Sequence, residues 1–503
     1  MFRNRRRLRA SEGALPPFEP MSRPFRLPVA AARATWSATL GAASFMKRHP
    51  LLGAALVCVG LLSACVSGAA QQPDPFAADK PSAPAKPALY EPARGAYLGA
   101  ALDTSQISGD AQTALTKQMG AFDDLAQRRQ ALFLHYLQFP NLQGEFGTWE
   151  RDANGWISAQ TFANACQSAS ATPVITLEPF APRAFLDWKP GSKSYEATKA
   201  FAQGAGHWGH PVFIRFAHEM NGSWYPWSEW NDLNKNMRRD PGEETGFSAA
   251  DYVRMYRNVA GMFRKYAPNA ALIWCPNSGL LGGDKRDVFR PYYPGDDVVD
   301  WVGLDIYERG WTLPQPGAHL WGGQFAHNLT HDMADDPKTP ENESANFYLL
   351  YGQWKRKPIM ICETSATLSF RSDLTPVQRD QMSRDWRIGY WNSNEYGWLP
   401  AVYGTSDLPG MKFLEPIDRD FPMVKAIVWF QIGKREFIPA QRPDGSYAWF
   451  ENEWADYRIG GSAAENEVSP FRQQEIDVYR SLTRSPYFLS EVEKGGVRTA
   501  LAK

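Results

Sequence analysis

From about residue 96 onward the chain alternates short apolar runs with longer amphipathic stretches. Eight of these runs have apolar residues at both odd and even positions, which predicts strands that are buried on both faces. They are Ala96–Leu102, Ala131–Tyr136, Pro173–Leu177, Val212–Ala217, Ala271–Cys275, Trp301–Ile306, Pro358–Cys362 and Ala426–Phe430. Helices are predicted between them, most clearly at Asp110–Arg129, Ala249–Tyr266 and Thr375–Asn392, where Pro376 suits a first helical turn.

This alternation predicts an α/β fold, a TIM (β/α)8 barrel with extended loops, over residues 91–503. A doubly wound sheet is the rival architecture, but no glycine-rich phosphate fingerprint follows the first strand. Residues 308–347 form a long connection before the seventh strand. A loop of this length usually shapes a cleft.

The N-terminal region has the pattern of an export signal. Residues 46–65 combine the basic Met46-Lys-Arg-His-Pro50, an apolar run from Leu51 to Leu62, and the small residues before Cys65. The run is too short to span a bilayer comfortably. Leu62-Ser-Ala-Cys65 resembles a bacterial lipobox, which implies cleavage before Cys65 and a lipid on its sulfur. Val66, rather than an Asp, implies the outer membrane, on its periplasmic or cell-surface side; an ordinary cleaved signal is the alternative.

The segments on either side of this signal are expected to lie outside the catalytic fold. Residues 1–45 are rich in Arg and precede a complete signal, so translation from Met46 is expected and 1–45 would not belong to the mature protein. Residues 66–90 are rich in Pro, Ala, Gln, Asp and Lys and lack the apolar groups for a core. They are predicted to be a flexible tether.

The overall composition excludes several classes of partner. The 54 basic and 54 acidic residues cancel, so nothing indicates binding to nucleic acid. The body contains three widely spaced cysteines, Cys166, Cys275 and Cys362, which indicates neither a disulfide framework nor a zinc site. His327 and His331 are four residues apart, but no third ligand accompanies them. No metal or cofactor is therefore predicted, and the oligomeric state stays open.

Two carboxylates follow apolar strands and carry the candidate chemistry. Glu219 ends Pro211-Val-Phe-Ile-Arg-Phe-Ala-His-Glu219, and Glu363 ends Lys357-Pro-Ile-Met-Ile-Cys-Glu363. Two acids at strand ends are the minimum for cleaving a glycosidic bond. Taken alone, each acid could equally be a structural salt-bridge partner. Strand alternation places Arg215 on the same face as Glu219 and one layer below it, where a buried guanidinium needs carboxylate partners.

The sequence around both acids resembles a known family. His218-Glu219-Met-Asn221-Gly222, followed by Trp224, Tyr225 and Trp227, resembles the acid/base motif of glycoside hydrolase family 26. Five further segments are similar to other parts of that family: the nucleophile strand, the sixth strand, the fifth strand, the eighth strand, and a segment near the C-terminus. They are Ile359–Glu363, Val299–Tyr307, Ile273–Asn277 with Ala426–Phe430, and Glu453–Arg458.

The resemblance implies a retaining mechanism that needs no cofactor. Glu363 would be the nucleophile and Glu219 the proton donor and later the base. The two carboxyl groups would lie about 5–5.5 Å apart. Their environments must then differ, because one acid has to be ionised while the other carries a proton.

The resemblance and the strand ends also give a set of expected supporting residues. The expected substrate contacts are His218, Trp224, Trp227, Tyr307, Trp429 and Glu178, with Trp429 as a sugar platform and Tyr307 as a donor to the nucleophile. Arg215, Asn221 and Asp305 are expected just behind them. Packing inside the barrel top is the alternative role for the tryptophans, and a core position is the alternative for His218.

The expected function is cleavage of internal β-linkages in a polysaccharide, with β-1,4-mannan or a related hexosan as the first candidate. Phe216 and Ala217 stand where many mannanases carry Pro, and Tyr225-Pro-Trp227 also occurs in relatives with other glucan activities. A β-1,3-1,4-glucanase, a β-xylanase and a hydrolase that processes exported exopolysaccharide are the alternatives. A non-catalytic glycan-binding lipoprotein is the alternative of another class, although it would need neither Glu219 nor Glu363.

Overall fold

The computed structural model describes residues 86–493 except 235, 237–238, 279–288, 310–323, 331–345, 368–374, 389–396, 442–446 and 463–464. The predicted signal peptide, Cys65, His331 and most of the predicted tether lie outside the described residues. So does most of the long connection at 308–347, within which the structure describes a short helix at Gln324–Thr330.

Eight parallel strands form a closed barrel. The neighbouring strands pair in sequence order, and the first pairs with the eighth from Tyr97–Ala426 to Leu102–Gln431. The strands are β1 Ala96–Leu102, β2 Leu132–Gln138, β3 Thr172–Glu178, β4 Val212–Phe216, β5 Ala270–Trp274, β6 Trp301–Arg309, β7 Ile359–Thr367 and β8 Val424–Gln431. The predicted TIM barrel is therefore confirmed, and each predicted strand overlaps an observed one.

Three further strands flank the barrel. β9 Gly433–Gln441 and β10 Tyr447–Asp456 form an antiparallel pair directly after β8. β11 Phe488–Leu489 adds to the start of β1. The C-terminal end of the described chain thus returns to the end of the barrel where the strands begin.

The helices lie outside the barrel and cover its outer face. They are α1 Ala111–Ala126, α2 Ala159–Ser168, α3 Lys193–Trp208, α4 Ala249–Tyr266, α5 Gln324–Thr330, α6 Pro376–Ile388, α7 Trp398–Tyr403, α8 Ile417–Asp420 and α9 Arg472–Thr483. The start of α4 shows why its sequence is helical: Ser248 and Asp251 form a reciprocal capping box. Tyr252, Met255 and Val259 then bury one face at helical spacing.

The N-terminal ends of the strands are closed by the segment that precedes β1. Leu89 and Tyr90 are buried there together with side chains of the barrel interior. The indole of Trp301 donates to the Leu89 carbonyl at 2.8 Å, and the Tyr97 hydroxyl donates to the Tyr90 carbonyl at 3.1 Å. This end of the barrel is therefore sealed, and the opposite rim carries the polar side chains. Within the described residues no helix is both long and apolar enough to cross a membrane.

Candidate active site

Glu219 lies in a sharply turned segment at the end of β4. The strand ends at Phe216, and Ala217 and Glu219 both adopt left-handed backbone conformations, with φ of 49° and 52°. The Glu219 amide donates to the Cys275 carbonyl at 2.8 Å, which ties the turn to the end of β5. Strand alternation therefore does not extend to Glu219 as the sequence suggested. A left-handed backbone is uncommon at residues other than glycine, and such positions occur at active sites as well as at helix ends.

The carboxyl group of Glu219 is held by two N–H donors. Trp224 Nε1 donates to Oε2 at 2.7 Å, and Asn277 Nδ2 donates to Oε1 at 2.5 Å. Asn221 holds Asn277 in place, because its Nδ2 donates to the Asn277 carbonyl at 2.8 Å and its Oδ1 accepts from the Asn277 amide at 2.9 Å. Both bonds to Glu219 stabilise the ionised carboxylate. That is the form in which the group can activate water.

Glu363 lies within β7, which continues to Thr367, and its side chain is almost fully buried. Arg215 donates to Oε1, and the Tyr307 hydroxyl donates to Oε2 at 2.5 Å. Burial alone would raise the pKa of Glu363, but the charge of Arg215 and the hydrogen bonds from Tyr307 and Arg215 lower it to about 2. The carboxylate is therefore ionised at neutral pH, as a nucleophile must be.

Arg215 of β4 contacts side chains of several other strands beneath the rim. Its Nη1 lies 3.0 and 2.9 Å from the two carboxylate oxygens of Asp305 on β6, and its Nε donates to Thr176 Oγ1 on β3 at 2.9 Å. The guanidinium carbon lies 5.5 Å from the ring centre of Tyr136 on β2. Arg215 was predicted to be buried and paired with carboxylates, and the structure shows it buried and paired with Asp305 and Glu363.

His218 is buried beside Glu363. Its Nε2 lies 3.1 Å from the Tyr225 hydroxyl and 3.8 Å from Glu363 Oε1. Burial lowers the pKa of His218 well below its usual range, and the nearby positive charge of Arg215 lowers it further. Burial and Arg215 thus favour the neutral imidazole, whereas the neighbouring Glu363 favours its charged form, and a charge on His218 would in turn lower the pKa of Glu363.

The three predicted sugar-binding tryptophans differ in exposure. Trp224 is partly exposed beside Glu219. Trp227 is fully buried, donates to the His218 carbonyl at 2.7 Å and stacks on Tyr225 with ring centres 4.2 Å apart. Trp429 is also fully buried and donates to the Tyr457 carbonyl at 3.0 Å. Neither Trp227 nor Trp429 has an exposed face on which a sugar could stack in this structure.

The position of Trp429 follows from the alternation of side chains along β8. Ala426, Val428 and Phe430 face the barrel interior, so Trp429 faces the surrounding helices, where its ring lies 6.2 Å from that of Tyr403. Phe430 is the aromatic residue that β8 contributes to the mouth of the barrel. Its ring lies 5.7 Å from Tyr307.

Glu178 is the last residue of β3, as predicted, and is partly exposed at the barrel mouth. Burial raises its pKa to about 8; the charges of Glu363 and Glu219 act in the same direction, whereas Arg215 and Lys434 oppose it. At neutral pH this shift favours the protonated form of the carboxyl group. A protonated carboxyl can donate a hydrogen bond to a sugar oxygen as well as accept one.

Several residues that line the site in the structure were not among those predicted from the sequence. Asn277 lies three residues after the end of β5, within a segment that resembles the family but carries no sign of a contact with Glu219. Tyr136 and Phe430 follow from strand alternation once the inward register is known. Tyr225 and Tyr457 are brought in by loops, and Tyr457 packs 5.4 Å from Tyr307. Both residues lie within segments that resemble the family, but no periodicity in the sequence indicates these loop contacts.

Two groups of side chains bring potential metal ligands close together. They are His218 with Asp305 and Glu363, and Cys275 with Asp305 and Cys362. Both groups contain Asp305, whose carboxylate pairs with the Arg215 guanidinium. The first group also contains Glu363, whose carboxylate pairs with the same guanidinium. A cation at either position would lie against that positive charge, so the donor sets do not fit a metal ion.

Comparison with known proteins gives the context of this site. Residues 200–316 match the model of the family described as glycosyl hydrolase family 26, a segment that contains Glu219, Asn277 and Tyr307. Endoglucanase H of Acetivibrio thermocellus is 27% identical over 195 residues, which is 37% of this chain and 19% of the relative. Beta-1,3-xylanase TXYA of a Vibrio species is 30% identical over 110 residues, 20% of this chain and 18% of the relative.

A third relative, with another substrate in its name, is mannan endo-1,4-beta-mannosidase of Bifidobacterium adolescentis. It is 32% identical over 100 residues, which is 20% of this chain and 8% of the relative. The chain thus covers less than a fifth of the length of each of these three relatives. Their names agree on glycoside hydrolysis and differ in the sugar and the linkage.

Proposed function

We propose, from the membership of this chain in glycoside hydrolase family 26, that it is a retaining hydrolase that cleaves internal β-linkages of a polysaccharide. The observation that carries the proposal is the contrast between the two acids. Glu363 is ionised and accepts hydrogen bonds from the cation Arg215 and from Tyr307. Glu219 instead accepts from two neutral donors, the partly exposed Trp224 and Asn277. Two carboxyl groups in different environments are what acid–base and nucleophilic roles require.

In the first step the Glu363 carboxylate attacks the anomeric carbon of the sugar. The bond from that carbon to the leaving oxygen breaks, and Glu219 transfers its proton to this oxygen. The product of the step is a glycosyl ester on Glu363 and a shortened chain with a free hydroxyl. Before this step Glu219 must take up a proton; the protonated carboxyl group can then donate through its O–H and still accept from Trp224 and Asn277.

In the second step Glu219, now ionised, removes a proton from water. The oxygen of this water attacks the anomeric carbon, and the ester bond to Glu363 breaks. The hydrogen bonds from Trp224 and Asn277 stabilise the ionised Glu219 in this step. The sum of both steps is the addition of one water across the glycosidic bond with retained configuration.

For the substrate we propose β-1,4-mannan or a related hexosan. The similarity to a mannan endo-1,4-beta-mannosidase supports this choice, and the similarities to an endoglucanase and a β-1,3-xylanase define the alternatives. The test is incubation of the purified protein with mannan, glucomannan, lichenan, β-1,3-xylan and alginate, with Glu363→Ala as the inactive control. Release of oligosaccharides from mannan supports the proposal. Cleavage of only another polysaccharide would replace mannan, and cleavage of none would contradict hydrolysis.

We further propose that the mature protein is a lipoprotein anchored through Cys65 in the outer membrane. The lipobox-like Leu62–Cys65 and Val66 support this proposal. Labelling of expressing bacteria with a fatty acid should mark the wild-type protein and leave Cys65→Ser unmarked. Equal labelling of both proteins, or of neither, would contradict the anchor. Fractionation of the two membranes then tests the outer-membrane assignment.

A further inference from the structure

An exposed tryptophan stands on the rim that also carries the two acids. Trp156 lies in the connection between β2 and α2, which leaves β2 at its carboxyl end. In a TIM barrel all carboxyl ends of the strands share one rim, so this loop lies on the same face as Glu219 and Glu363. The Trp156 side chain is 75% exposed, and it is the one aromatic side chain among the large exposed apolar residues of the described chain.

The exposure of Trp156 does not come from a loose segment. The buried carboxylate of Asp152 accepts from the Asn154 amide at 2.7 Å and from the Trp156 amide at 3.2 Å. On the other side, Ile157 is buried, and Ser158 caps α2 by accepting from the Thr161 amide at 3.1 Å. The backbone before and after Trp156 is therefore fixed, and the indole is held in water on a rigid support.

A short series of side-chain contacts ties this loop to the barrel mouth. Asn154 Nδ2 donates to Gln138 Oε1 at 3.1 Å, and Asn141 Nδ2 donates to Asn154 Oδ1 at 3.2 Å. Gln138 is the last residue of β2 and the register partner of Glu178. It has the same strand parity as Tyr136, which lies against Arg215. The loop that carries Trp156 is thus fastened to the mouth through Asn154, and to the outer helices through Trp149, which packs on Phe201 and Trp208 of α3.

We propose that Trp156 is a stacking platform for a distal sugar ring of the bound polysaccharide, on the β2–β3 side of the cleft. The inference rests on the proposed function and adds a second binding position to it. One face of a pyranose presents apolar C–H groups, which pack on an indole ring. A rigid aromatic residue loses little conformational entropy on binding, so it suits such a position.

The test separates long substrates from short ones. Trp156→Ala is compared with wild type on the polysaccharide that wild type cleaves and on an aryl glycoside of one or two sugars, too short to reach a distal position. On the polysaccharide we expect kcat/KM to fall about 5- to 50-fold, the range of one aromatic stacking contact, while the aryl glycoside is hydrolysed as by wild type. Trp156→Tyr should recover most of the loss.

A matched control is available on the same loop. Leu142 is 67% exposed, and Leu142→Ala should leave both rates unchanged. Equal loss on the long and short substrates in Trp156→Ala, or no loss on the polysaccharide, would overturn the platform. The platform would also be overturned if the only effect of Trp156→Ala were a changed oligomeric state or weaker binding to lipid vesicles. If wild type hydrolyses neither substrate, the proposed function itself fails, which is a distinguishable result.

Discussion

The Tyr307 hydroxyl donates a 2.5 Å hydrogen bond to Oε2 of Glu363, while Arg215 donates to the other oxygen of the same carboxylate. Both donors stabilise the ionised form, and they outweigh the cost of burial, so the pKa of Glu363 is lowered to about 2. β6 supplies the tyrosine and β4 the arginine. The charge state of the nucleophile is thus determined by residues from two other strands.

Tyr307→Phe removes one of these donors and keeps the ring. The pKa of Glu363 should rise, because its ionised form loses a hydrogen bond. The acidic limb of the kcat/KM profile should therefore move to higher pH, and kcat should fall about 10- to 100-fold, the scale of one charge-assisted hydrogen bond. Tyr195→Phe, at a tyrosine of α3 outside the barrel, serves as the control. An unchanged acidic limb would contradict the role of Tyr307.

Glu219→Gln removes the proton donor and preserves the shape of the site. Cleavage of polysaccharide should fall by about 10²–10⁴-fold, the usual contribution of general acid–base catalysis. Formation of the glycosyl-enzyme from an aryl glycoside with a good leaving group should be much less affected, because that oxygen needs no proton. Pre-steady-state release of the aryl group measures this step. Equal losses on both substrates would remove Glu219 from the acid role.

Trp224 can be tested separately as a donor and as an aromatic surface. Trp224→Phe keeps an aromatic ring but removes the N–H bonded to Glu219, which stabilises the ionised carboxylate. The alkaline limb of kcat/KM should therefore move to higher pH. Trp224→Ala should in addition raise KM, because the partly exposed ring is lost. If Trp224→Phe leaves the alkaline limb in place, the bond to Glu219 has no influence on proton transfer.

Glu178 is expected to make stability depend on pH. Its pKa is raised from 4.5 to about 8 in the folded protein and returns to the ordinary value on unfolding. Between these two pKa values the folded protein keeps a proton that the unfolded chain releases, so the free energy of unfolding falls as the pH rises from 4.5 to about 8. Glu178→Gln removes the titration and should stabilise the protein relative to wild type at pH 9 and far less at pH 5. Chemical denaturation at both values measures this. The exposed Glu467→Gln is the control, and an equal effect at both pH values would contradict the prediction.

Arg387 and Glu475 form a buried ion pair between α6 and α9. Arg387 Nη1 donates to Glu475 Oε2 at 3.0 Å and also to the Arg458 carbonyl at 2.7 Å. Arg387→Met leaves a buried carboxylate without its cation and should cost about 3–5 kcal/mol of unfolding free energy. Replacing both residues by apolar ones should cost less than Arg387→Met alone. A double variant less stable than the single variant would contradict this prediction.

The sequence predicts the barrel well because its strands are apolar on both faces. For β1 and α4 the predicted bounds equal the observed ones. The predicted fourth strand was one residue too long, since the left-handed backbone at Ala217 ends it. Strand alternation was correct for Arg215, which lies within β4, and failed at Glu219, which lies beyond its end.

The supporting residues were harder to predict than the two acids. Trp429 was expected at the mouth because it ends an apolar run, but the inward register of β8 places Phe430 there instead. Asn277 contacts Glu219 across two strand ends, and Tyr457 arrives from a segment far along the chain. Contacts of this kind depend on how loops fold over the rim, which no periodicity in the sequence encodes.

The assignment of both acids is tested most directly by the configuration of glycosyl azides. Glu219→Ala and Glu363→Ala are each incubated with an activated aryl β-glycoside and azide, and the products are analysed by NMR. Azide should take the place of water in Glu219→Ala and give the β-glycosyl azide. In Glu363→Ala it should take the place of the nucleophile and give the α-glycosyl azide. The reverse configurations, or β-azide from both variants, would contradict the account.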